Sequence, residues 1–179
     1  MVRVGGFFVL LTGTLIFGCA AVSSVEPVGD HPKEISRNEW VGTWINKSHP
    51  ITIQVLDEQK GFLQVAWVEE KEGGLKIESY RVAIRESGEW IFGNVKEKED
   101  AASHYWALIK KDAGQIVVWA PDPAQFRKLV QTGKLRGKIE GSSTILEGLT
   151  LDDLKGILSG DKGSCFEWQN PIVFFRLGK

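Results

Sequence analysis

Trp40-Val41-Gly42-Thr43-Trp44-Ile45-Asn46, followed by Ile51, Ile53 and Val55 with a residue of another kind between each pair, is the stretch that decides the fold. Side chains of an extended strand point to alternate faces, so an apolar residue at every second position marks a strand with one face in a core. Further strand-like segments follow at 62–70, 75–85, 90–96, 105–110 and 116–120. Between them stand Lys60-Gly61, Gly73-Gly74, Ser87-Gly88 and Ala113-Gly114, and short period-two strands joined by such turns predict an antiparallel meander. Within 75–85 the apolar phase slips, because Leu75 and Ile77 are odd whereas Tyr80, Val82 and Ile84 are even. The slip predicts a bulge near Glu78-Ser79, of the kind that lets a curved sheet close.

Two short helices are expected late in the chain. Asp122 caps the first, Pro123 suits its first position, Phe126, Leu129 and Val130 share a face, and Gly133 stops it. Thr150 and Asp153 form a capping-box pattern for the second, with Leu151, Leu154, Ile157 and Leu158 on one face and Gly160 as the stop. Segments 134–140 and 143–147 read as a hairpin around Gly141, and 172–177 as a closing strand. The helices need an apolar surface to cover, and strands 90–96 and 116–120 offer one because they are apolar on both faces.

At the other end, Arg3 precedes an uncharged run from Val4 to Gly18, and Cys19 follows. The run is shorter than the roughly 18 to 20 apolar residues of a spanning helix. Leu15, Ile16, Gly18 and Cys19 resemble the cleavage box of a bacterial lipoprotein export signal, with Phe17 bulkier than its usual occupant. The resemblance implies that residues 1–18 are removed and that Cys19 becomes a lipidated N-terminus. Its acyl chains, at about 0.8 kcal/mol per buried methylene, would then hold the protein on a membrane. Ala20 after the cysteine resembles an outer-membrane address, so the expected place is the bacterial cell envelope, facing the periplasm. An uncleaved anchor is the alternative, since no charge appears between Arg3 and Glu26.

Residues 19–38 carry Ser23, Ser24, Pro27, Gly29, Asp30, Pro32 and Ser36 without sustained periodicity, and read as a flexible tether spanning roughly 25 Å. Residues 39–179 then form one β-rich domain. Without its first 18 residues the chain has 21 basic and 23 acidic residues, a balance with no bias toward nucleic acid. Once Cys19 is lipidated, Cys165 has no partner for a disulfide, and beside Phe166 and Trp168 it reads as a small buried residue rather than a reactive thiol.

Gly42-Thr43-Trp44 on a first strand, followed by a meander, is similar to the calycin group of lipocalins and avidins, and Gly42 to Asn46 is especially like the avidin opening. The resemblance implies a barrel of about eight antiparallel strands, with Gly42 and Trp44 as structural residues, Trp44 packed at the closed end and a small apolar ligand at the other. The late helices depart from the calycin order, and no biotin-site pattern follows, so no ligand identity comes with it.

Chemistry is faint. His31, His49 and His104 are scattered and no metal set emerges. Asp100, Ser103 and His104 make a poor triad, because neighbouring strand residues face opposite ways. Asp152-Asp153 suits a helix dipole, and 96–100 a solvated turn. No glycine loop cradles a phosphate, and no cofactor is implied. Trp67, Trp90 and Tyr105, with Trp119, are candidates to line a cavity for an amphiphilic ligand, against plain core packing. The expectation is a lipid-anchored, non-enzymatic envelope protein that binds or carries a small apolar or amphiphilic molecule. The alternative is an interaction or assembly protein with a solid barrel and an external working surface.

Overall fold

The alternation at Ile51, Ile53 and Val55 becomes the wall of a closed barrel. The computed structural model describes residues 20–47, 49–71 and 74–178. Cys19 with the expected export signal before it, and Gly73 of the expected turn, lie outside the described residues. Seven strands run in sequence: β3 (Gly42–Asn46), β4 (His49–Asp57), β5 (Phe62–Lys71), β6 (Gly74–Ser87), β7 (Trp90–Val95), β8 (His104–Lys111) and β9 (Gln115–Trp119). They follow β1 (Val22–Ser24), β2 (His31–Pro32) and α1 (Arg37–Trp40). After them come α2 (Pro123–Gln131), β10 (Gly137–Glu140), β11 (Ser143–Leu146), α3 (Leu151–Leu158) and β12 (Ile172–Arg176).

β3 through β9 pair consecutively and antiparallel, and β12 enters between β9 and β3, with Ile172 opposite Val118 and Arg176 opposite Trp44. Among the described residues, eight strands thus close on themselves. Odd residues of β4 from Ile51 to Val55, odd residues of β5 from Leu63 to Trp67 and even residues of the later part of β6 face the lumen, where Ile51, Ile53, Val55, Leu63, Trp67 and Ile84 are buried with Ile116 and Phe174. Gly93 faces the lumen too, and its missing side chain is what admits Ile109, since a Cβ there would lie 2.7 Å from Ile109 Cδ1.

The outer face of β7 and β8 builds a second core. Phe92, Trp106 and Leu108 lie under α2 and α3, meeting Phe126, Leu129, Leu154 and Ile157. Trp106 packs edge-on against Phe92, Phe126 and Phe166 at 5.5–6.1 Å between ring centres. Both helices begin as their punctuation predicts. Asp122 accepts from the amides of Ala124 and Gln125, with Pro123 in the first turn, and Thr150 and Asp153 complete a reciprocal capping box. The β10–β11 hairpin turns at Gly141 and joins the sheet through β1.

Two expectations require correction. Residues 20–38 are no flexible tether. β1 is parallel to β11 and antiparallel to the start of β8, and β2 pairs with the end of β6. Val22, Val28 and Ile35 are buried, and the Asn94 amide grips the backbone of Val28 by accepting from its N–H at 2.6 Å and donating to its carbonyl at 3.0 Å. Each strand is too short to show a period, and the segment is ordered by edges that other strands leave open. Nor is there a bulge at Glu78-Ser79. β5 and β6 pair without a break from Phe62↔Ala83 to Lys71↔Gly74, and the register shift falls at Val55/Asp57 in β4. The phase slip instead marks where the hairpin leaves the barrel, so that Leu75 and Ile77 have no core to face. The helices and the β10–β11 hairpin are inserted between β9 and the closing strand β12, the order that the sequence predicts.

Candidate functional site

The floor of the lumen is built first. Trp44 is fully buried, and its indole N–H donates to the carbonyl of Trp40 at the end of α1, 3.0 Å away. Two cations stand over it. The Arg176 guanidinium lies 5.4 Å from the Trp44 ring, held by the carbonyls of Val41 at 2.6 Å and Asn38 at 3.1 Å. Lys111 Nζ is 5.9 Å from the same ring and 5.5 Å from Trp40, with a Glu39 carboxylate 3.9 Å away. Burial lowers the Lys111 pKa, against the pull of Glu39. Gly42 sits at φ +145°, a backbone conformation that residues with a side chain rarely adopt, while a Cβ there would meet Arg176 only at the ordinary contact distance of 3.5 Å. This end is shut.

Toward the other end the packing loosens. Val65, Tyr80, Val82, Ile109, Val118 and Ile172 face inward but are only partly buried. An eight-stranded barrel is just wide enough for side chains to fill it, and these inward apolar residues, like Ile91, keep some exposure instead of being fully buried. Trp67 stacks on Tyr80 with ring centres 4.9 Å apart and planes 4° from parallel. Its indole N–H is buried and has no hydrogen-bond partner among the described residues. Tyr105 lies opposite Val95, itself opposite Val82, on the same inward face. Burial raises the Tyr105 pKa, with the nearby Glu97 charge adding to it.

The structure therefore brings Trp67 and Tyr105 to one lumen and leaves Trp90 out of it. On β7, Ile91 faces in, which turns Trp90 outward with Phe92, and Trp90 is 38% exposed. Trp119 also faces out, tilted against Trp168. Tyr80, which stacks on Trp67, was legible only as one apolar position of a strand.

A second concavity, of 420 Å³, lies outside the barrel between the N-terminal segment and α3, lined by Glu26, Val28, Arg85, Leu149 and Leu154 among others. Its charged groups are already engaged. Arg85 donates to the carbonyls of Gly29 and Asp30, and Glu26 accepts from the amide of Gly148. His104 is bound through Nδ1 to the Val25 carbonyl at 3.2 Å rather than to a serine. Among the described residues no group of three or more His, Cys, Asp or Glu is placed to hold a metal ion. Compared with known proteins, the chain matches no family profile, no curated protein and no solved structure.

Proposed function

We propose that this is a lipid-anchored cell-envelope protein whose barrel binds or carries a small apolar or amphiphilic molecule without catalysis. The observation that carries the reading is the loosely packed half of the lumen, where Trp67 presents a buried, unpartnered N–H among apolar walls. An apolar body would lie against Val65, Val82 and Ile109, and an acceptor on the ligand would take the indole N–H. The lipid anchor rests on the resemblance at Cys19, and the outer-membrane, periplasm-facing location on Ala20. A second reading, an interaction or assembly protein working through its outer surface, draws on Val68, Leu75 and Ile77, which are 51–77% exposed on one hairpin.

The test is a screen of residues 20–179 against fatty acids, phospholipids and apolar metabolites by thermal shift and tryptophan fluorescence. A true ligand at a hundred times its dissociation constant raises stability by about 2.7 kcal/mol. Trp67→Phe keeps an aromatic ring, though a smaller one, and removes the donor, and should weaken a ligand with an acceptor about tenfold more than it weakens a pure hydrocarbon. A panel without a single saturable hit sinks the reading, as does a hit whose affinity Trp67→Phe and Val82→Trp both leave unchanged.

A further inference from the structure

Beyond the barrel wall the β5–β6 hairpin continues as an arm. β4 pairs with β5 only from Phe62 to Trp67, and β7 with β6 only from Val82 to Ser87. From Leu75 to Arg81, β6 therefore has β5 on one side and, among the described residues, no strand on the other. A two-stranded ribbon is marginal by itself, and an unpaired edge presents a row of N–H and C=O groups ready to take another strand. The arm's outer face is apolar as well, with Leu75 77% and Ile77 72% exposed.

We propose that this edge pairs with the same edge of a second copy of the chain, antiparallel and centred on Ile77. Opposed residues of an antiparallel pair share a face, so a two-fold axis through the sheet permits only registers centred on a residue. Centred on Ile77, Lys76 faces Glu78 of the second copy and Glu78 faces its Lys76, while Leu75 lies opposite Ser79 and Ile77 opposite its own equivalent. Within one arm Lys76 Nζ and Glu78 Oε1 are already 2.7 Å apart, so the pairing sets two such pairs side by side with signs alternating. Centring one residue earlier opposes Lys76 to Lys76, and one residue later Glu78 to Glu78. Charge complementarity thus selects the partner and the register together. The backbone ladder and the Ile77 contact supply the attraction, and the charges discriminate against the neighbouring registers. The pairing holds whether or not the lumen takes a ligand.

The experiment uses the full-length chain in detergent, carrying two distinguishable tags. Wild-type chains should co-purify. Lys76→Glu alone places Glu against Glu and Glu78→Lys alone places Lys against Lys, so each single variant should associate with itself about tenfold more weakly. Mixed with each other, the two variants restore opposite charges at both positions and should co-purify again, which also shows that both are folded. Ile77→Cys should crosslink to its equivalent on mild oxidation, because directly opposed Cα atoms lie about 4.5–5.5 Å apart, within disulfide reach. Leu75→Cys should not. Wild-type chains that never co-purify, single variants that associate as the wild type does, or a mixture no stronger than either variant alone would each overturn the proposal.

Discussion

Trp44 shows how much one position carries. Its ring closes the lumen, its N–H caps the carbonyl of Trp40, and its faces receive Arg176 and Lys111, each cation–π contact being worth on the order of 1 kcal/mol. A lysine side chain only 7% exposed is tolerable because the two indoles and Glu39 replace part of its hydration. Cys165 is the opposite kind of residue, inert by burial. It is 1% exposed beside Phe166, and burial, followed by the Asp122 charge, pushes its thiol up to about 11. The folded state therefore favours the neutral thiol. The stabilisation is complete below pH 9, where the unfolded thiol is still protonated, and fades as the pH rises through about 11. Cys165→Ala should cost about 1 kcal/mol at neutral pH and flatten the loss of stability between pH 9 and 11. Rapid labelling of the native thiol by an alkylating reagent at pH 8 would contradict this account.

Among the elements, β1 and β2 owe their existence to edges left open by others. β9 covers only the later part of β8, from Leu108 to Lys111, and β1 takes the earlier part at His104 and Tyr105. The intervening chain is latched by Asn94, a buried side chain on β7 that has both Val28 backbone groups as partners. Asn94→Ala leaves an N–H and a carbonyl in an apolar setting, and should cost about 2–4 kcal/mol by denaturant unfolding. It should also expose the 20–35 segment to limited proteolysis. Stability within 1 kcal/mol of wild type, with unchanged protease resistance, would mean that the segment is held by other means.

At the scale of the molecule, two cores share one wall. β7 and β8 present Ile91 and Ile109 to the lumen and Phe92, Trp106 and Leu108 to the helices, so barrel and helical layer cannot separate without exposing both. The docking of β1 changes what an anchor at Cys19 would do. Cys19 precedes Val22 by three residues, a reach of about 10 Å at full extension, where a 20-residue flexible tether would have allowed roughly 25 Å. A lipidated protein would lie against the bilayer with its orientation restrained. Cys19→Ser should release the protein from membranes into the soluble fraction. A mutant that sediments with membranes as the wild type does, with residues 1–18 still present in the masses of both, would refute the lipid anchor.

By itself the sequence determined the meander, because alternation and Gly-containing turns act over a few residues. It determined both late helices as well, because Asp122, Thr150 and Asp153 accept from backbone donors within one turn and Pro123 presets the first turn of its helix. Cys165 was legible as a buried residue because Phe166, its neighbour in the chain, is also its neighbour in the core, although Trp168 is 40% exposed. Three-dimensional packing decided the rest. Closure by β12 between β9 and β3, the capture of β1 and β2, and the extension of the β5–β6 hairpin past the barrel wall all depend on which edges remain open after the other strands pair. That information is distributed over more than a hundred residues and leaves no local period. The lumen divides the same way. Trp67 and Tyr105 lie on inward faces and Trp90 on an outward one, a distinction set by one residue of register in β7, which aromatic content alone does not reveal.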